Sequence, residues 1–132
     1  MSSDLQGTWY NQHGSSLVLR NEGNGRLSGT FEPHVGFAEP GTSYPVTGFA
    51  TGAVVGFVVA FPGHRTVTTW VGHATTLGAE LRLETLWHMA AEFPPARKPD
   101  ELWKGTWAGA DTFTRERPAA EKAQSRPPHP MW

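Results

Sequence analysis

Cysteine is absent from the 132 residues, which excludes disulfides and thiolate chemistry. An excess of positive charge is absent too. Eleven Lys+Arg against 12 Asp+Glu leave a net charge of -1, which argues against a nucleic-acid or anionic-membrane partner. No apolar run approaches the ~18–20 residues that a membrane helix needs. The six histidines, at positions 13, 34, 64, 73, 88 and 129, form no H-x-x-x-H or similar spacing, so a metal site would need distant convergence. Chemistry at a nucleophile finds little support either. Ser15, Ser16 and His13 lie beside a turn, with Asp111 as a possible orienting acid, but no G-x-S-x-G is present. Turn serines ordinarily hydrogen-bond backbone. With no paired carboxylates and no phosphate loop, the chain does not read as an enzyme.

What is there is a turn-rich chain of one-domain length, with 15 Gly, 11 Pro and six Trp. Hydrophobic residues at 38% and charged residues at 17% fit a folded core. Short alternating segments follow one another. Thr8–Gln12 meets Ser16–Arg20 across His13-Gly14-Ser15 as a hairpin, and Asn21–Gly25 is a dense turn signal. Arg26–Phe31 places Leu27 and Phe31 on one face, and residues 32–43 read as a long loop. Strands follow at Tyr44–Thr51, Ala53–Phe61 and Thr66–His73; the second is so apolar that both its faces are expected to meet protein. Ala79–Ala91 has a helix-favouring composition. Its period-two pattern, with Leu81, Leu83, Thr85, Trp87 and Met89 on one face, reads as a strand. Glu92–Asp100 is a proline-rich loop, and Leu102–Thr114 is the last strand. The expected fold is all-β, an eight-stranded antiparallel up-and-down β-barrel over 7–117, after a short lead at 1–6. Closure removes sheet edges and leaves an interior wide enough for side chains or one small ligand. The proline-rich segment 118–132 reads as a disordered or extended tail.

Polar residues run in phase with aromatic ones: Asn11 with Trp9, Thr68 with Trp70, and Asp111 on an otherwise apolar strand. The aromatics alone would serve as barrel filling. Inward polar groups need partners, however, since burying one unpaired costs roughly 1–3 kcal/mol. A small, uncharged ligand with an apolar ring and hydrogen-bonding edges satisfies both sets.

Five motifs then carry a resemblance: Gly7-Thr8-Trp9-Tyr10-Asn11-Gln12-x-Gly14-Ser15, Thr68-Thr69-Trp70-x-Gly72, Thr85-Leu86-Trp87, Leu102-Trp103-Lys104-Gly105-Thr106 and Gly109-Ala110-Asp111-Thr112-Phe113-Thr114. In this order, from about residue 7 to residue 118, the chain resembles the avidin/streptavidin family. Each motif alone is weak, because G-x-W also opens lipocalin barrels. The resemblance implies non-covalent binding of biotin, with no cofactor and no chemistry done. By position, Asn11 and Ser15 would donate to the ureido oxygen and Asp111 would accept from a ureido N–H. Thr68 would approach the thioether sulfur, and Thr66 falls near a carboxylate-binding hydroxyl. Trp70 and Trp87 would box the ring, with Phe61 where the family has another Trp.

Three positions depart from the family pattern. Phe31 replaces a Tyr that supplies a third donor to the ureido oxygen, and Pro33 replaces a Ser acceptor. Phe37 replaces a loop Asn that meets the ligand's carboxylate, and would serve instead as an apolar lid. The expectation is binding weaker than streptavidin's. Trp103 matches the Trp that reaches into a neighbour's pocket in tetrameric members, which implies a homotetramer, with a dimer as the alternative. Residues 119–132, ending in Pro127-Pro128-His129-Pro130-Met131-Trp132, are a candidate internal competitor for the pocket, against the ordinary reading of an unstructured tail. The resemblance implies a secreted or periplasmic protein. Met1-Ser2-Ser3-Asp4 shows no signal-peptide pattern, which leaves the cytoplasm open. The rival reading is a lipocalin-like carrier of a lipophilic ligand; it explains Gly7-x-Trp9 but not Asp111 or the Trp-Lys-Gly-Thr motif.

Overall fold

Period-two alternation sets every long strand of the computed structural model, which describes residues 5–34, 41–92 and 105–118. The strands are β1 (Gly7–Tyr10), β2 (Ser16–Gly23), β3 (Arg26–Glu32), β4 (Tyr44–Thr51), β5 (Val54–Phe61), β6 (Thr66–Leu77), β7 (Glu80–Ala91) and β8 (Thr106–Phe113). Each pairs antiparallel with the next in a single curled sheet. The sheet closes through a bridge between Tyr10 and Thr114, whose backbones exchange N–H···O bonds of 2.7 and 2.8 Å. The all-β, eight-stranded up-and-down architecture is therefore the one expected.

Local chemistry explains the turns. β2 and β3 are joined at Asn24-Gly25, where both residues take positive φ (54° and 79°), the backbone that matches the right-handed twist of a two-residue hairpin. Between β5 and β6, Pro62–His64 makes one 3-10 turn, and Arg65 follows in the left-handed region.

Several boundaries differ from expectation. β1 stops at Tyr10, so Asn11 and Gln12 belong to the turn rather than to a strand. β6 runs on to Leu77, because β7 continues to pair with it as far as Glu80. β8 is described from Thr106; residues 101–104, like 93–100, lie outside the described residues. β5 has only one covered face. Val55, Phe57, Val59 and Phe61 point inward, whereas Val54 and Val58 are 42% and 36% exposed. A barrel wall is one sheet thick, so its own chain covers only the inner side.

Register stacks the inward side chains in rows. Val59, Thr68, Met89 and Trp107 form one row, Phe57, Trp70, Trp87 and Gly109 the next, and Gly72, Thr85 and Asp111 a third. Phe57 stacks on Trp70 at 5.1 Å and 16°, while Phe31 meets Trp70 at 5.2 Å and Phe61 at 6.4 Å. Burying each such side chain contributes roughly 1.5–3 kcal/mol.

Candidate functional site

Inside the barrel, the β1–β2 turn and β8 face one another across the seam, and their polar groups converge on Asp111. This carboxylate is 1% exposed. Its Oδ2 accepts from the Trp70 indole N–H at 2.9 Å and from the Asn11 amide at 3.4 Å, and its Oδ1 accepts from the Gln12 amide at 2.7 Å. Thr85 fixes the backbone below it by donating to the Asp111 carbonyl at 2.8 Å. These three side-chain partners are donors, which suits an ionised carboxylate that can only accept.

Asn11 is held as firmly. Its Oδ1 accepts from the backbone N–H groups of His13 and Ser15, each at 3.0 Å, an Asx arrangement that bends the turn back toward β2. The fixed amide nitrogen then faces Asp111. Ser15 is fully buried, and its Oγ accepts from the His34 N–H at 2.9 Å. On β6, Thr66 and Thr68 are 5% and 0% exposed, and their hydroxyls have no hydrogen-bond partner among the described residues. Buried hydroxyls ordinarily find partners, so these two inward ones make β6 a candidate contact for a ligand's polar atoms.

The aromatic wall meets these polar groups. Trp70 and Trp87 are cross-strand neighbours, 0% and 4% exposed, and Phe31 and Phe61 are wholly buried. Trp87 lies over Gly109, where an added Cβ would come within 2.4 Å of the indole. Asn11, Ser15, Phe31, Phe61, Thr66, Thr68, Trp70, Trp87 and Asp111 are thus all buried in the barrel. Phe37, Trp103 and the tail 119–132 lie outside the described residues.

Three residues were not singled out from the sequence as site residues. Gln12 accepts from the Thr112 N–H at 3.0 Å and donates to the Ala110 carbonyl at 3.1 Å. Its side-chain amide thereby imitates a further peptide of β1 just where that strand ends. His13, which the sequence offers only beside Ser15 and Ser16 at a turn, is 1% exposed, with Nε2 3.2 Å from the Gln12 amide nitrogen. Trp107 is 40% exposed and shares the inward register of Thr68 and Met89. Period-two phase along β8 was the signal that could have found Trp107. No periodicity marks Gln12, because it acts from a turn. Among the described residues, no group of three or more His, Cys, Asp or Glu could hold a metal.

A curled antiparallel sheet bridged at its seam, with an anchored acid, buried hydroxyls and an aromatic wall, has the form of a binding protein for a small hydrogen-bonding ligand. Comparison gives the family: the Avidin family model matches residues 1–116, and the chain belongs to that family. It is 30% identical over 115 residues to Afifavidin of Afifella pfennigii, covering 83% of this chain and 68% of that protein. Its fold is similar to the crystal structure of Xenavidin, with a TM-score of 0.75 and 30% identity over 88% of this chain and 100% of that one. Members of this family are biotin-binding proteins, not enzymes.

Proposed function

We propose that this chain binds biotin non-covalently inside the barrel, with affinity below that of streptavidin. The observation that carries the reading is the Asp111 carboxylate, buried and fixed by Trp70, Gln12 and Asn11 in a barrel interior where the Thr66 and Thr68 hydroxyls have no partner among the described residues. In the proposed complex Asp111 accepts a ureido N–H, and Asn11 and Ser15 serve the ureido oxygen. Thr68 and Thr66 meet the sulfur and the valerate end, and Trp70, Trp87, Phe31 and Phe61 enclose the ring. Groups already held by protein hydrogen bonds lose little freedom on binding, which favours a tight complex. Phe31 brings no hydroxyl and Pro33 no polar side chain, which supports the lower affinity. Phe37 and Trp103 belong to the proposal on family resemblance alone, as does export from the cytoplasm, whereas the use of the tail as a competitor rests on its proline-rich, Trp-ended sequence.

Self-association is part of the same proposal. The outer face of β4–β8 exposes Phe49, Val71 and Leu86 at 61–62%. Next to them a depression of about 610 Å³ is lined by Val54, Val71, His73, Leu86 and Ala110. A contiguous apolar outer wall suits a second copy of the chain, and two such pairs a homotetramer.

Titration calorimetry with biotin, and light scattering on the same sample, test both parts. One biotin per chain at nanomolar affinity on a mass near four chains supports them. A dissociation constant no better than micromolar rejects the biotin reading, and a binding-competent dimer rejects only the tetramer.

A further inference from the structure

His13 is a buried imidazole that the proposed ligand contacts do not use. Its neighbour Gln12 has a fixed orientation, because Oε1 accepts from the Thr112 N–H at 3.0 Å and the amide nitrogen donates to Asp111 at 2.7 Å. The side of Gln12 that faces His13 Nε2, at 3.2 Å, is therefore its NH2. That NH2 has two hydrogens for three neighbours, Asp111 Oδ1, the Ala110 carbonyl at 3.1 Å and His13 Nε2, so the last two share one hydrogen, and the neutral ring with its proton on Nδ1 is the tautomer that can accept it. Gln12 thus stands between an imidazole and the carboxylate at the centre of the site.

We propose that His13 is a positioning residue for Asp111, acting through the Gln12 amide, and that its protonation weakens ligand binding. The proposal rests on the biotin reading for its ligand. Protonation would set an N–H against the Gln12 NH2 and turn the amide away from both the seam and Asp111. The new positive charge would also draw on the carboxylate that the ligand needs as an acceptor. Both effects act in the same direction. Among the described residues, the other charged or titratable groups facing this turn are Asp111 itself, Arg117, whose guanidinium donates to the Gly14 carbonyl at 3.2 Å and lies 4.6 Å over the Tyr10 ring, Tyr10, and His34, whose backbone N–H reaches Ser15.

The test uses biotin methyl ester, which has no titrating carboxylate, in competition assays from pH 8 to pH 5.5. The wild-type protein should bind about five- to tenfold more weakly at pH 5.5, the effect of one lost hydrogen bond. His13→Gln should flatten that slope, and His34→Gln should keep it. A slope retained in His13→Gln, or tighter binding at low pH, overturns the proposal. Nitrogen NMR of the wild-type protein reads the same device without ligand. His13 should show the Nδ1–H tautomer at pH 8, and the Gln12 side-chain amide signals should shift as His13 titrates. An Nε2–H tautomer, or Gln12 signals that do not follow His13, also overturns it. If biotin binds at no pH, the functional reading fails, and the proposal on His13 is decided by this titration.

Discussion

Phe31 sits wholly buried at the end of β3 against Trp70 and Phe61, at the position of a Tyr in the family pattern. Restoring the hydroxyl should return one donor to the ureido oxygen. Phe31→Tyr is expected to slow biotin dissociation and tighten binding by about ten- to a hundredfold, the worth of 1–3 kcal/mol. An unchanged dissociation rate would mean that the hydroxyl does not reach the ligand. Asp111 is the opposite case, since its removal strands donors. Asp111→Ala removes the carboxylate that accepts from the Trp70 indole, Gln12 and Asn11. Loss of roughly 1–3 kcal/mol in urea unfolding is expected, together with at least about a hundredfold weaker biotin binding in competition assays. Most of these residues were legible as site candidates because strand phase puts them beside Trp9, Trp70 and Trp87. Gln12 was not, because its side chain bonds across about a hundred residues of sequence, and His13 was not, because it is buried in a turn that carries no periodicity.

At the scale of elements, β7 and β8 touch where Trp87 lies across Gly109. The strand position demands glycine for space rather than for conformation. Gly109→Ala should push the indole out of the wall and destabilise the fold by roughly 1–3 kcal/mol, as overpacking does. Thermal unfolding measures the cost, and tryptophan fluorescence on adding biotin shows whether the wall still forms. The seam between β1 and β8 is the other vulnerable element contact. It has a single bridge, supplemented by Gln12, by Arg115 lying 3.7 Å over Trp9, and by Arg117 over Tyr10. β7 itself shows why the period outweighs propensity. Its Ala, Glu, Leu and Met content favours helix, yet Leu83, Thr85, Trp87 and Met89 reach the interior only with period two.

For the whole molecule, the exposed apolar residues are concentrated on the outer wall. Charges at Val71 and Leu86, which are 62% and 61% exposed, should keep the barrel folded and prevent association. Val71→Lys with Leu86→Lys is expected to shift the light-scattering mass toward one chain, while the proposed site on the opposite side of the wall stays in place. A mass unchanged from the wild-type protein would exclude this face as the interface.

Strand number, strand phase and the inward direction of Trp9, Trp70 and Trp87 followed from the sequence alone, because pleat alternation and turn chemistry are local and repeat every few residues. The absence of cysteine likewise removed whole classes of chemistry before any fold was known. Closure of the seam, the donor set around Asp111 and the burial of His13 were decided only by tertiary structure. Hydrogen bonds between the β1–β2 turn and β8 span the length of the chain, and only the curl of the sheet brings those two ends within 3 Å or so of each other.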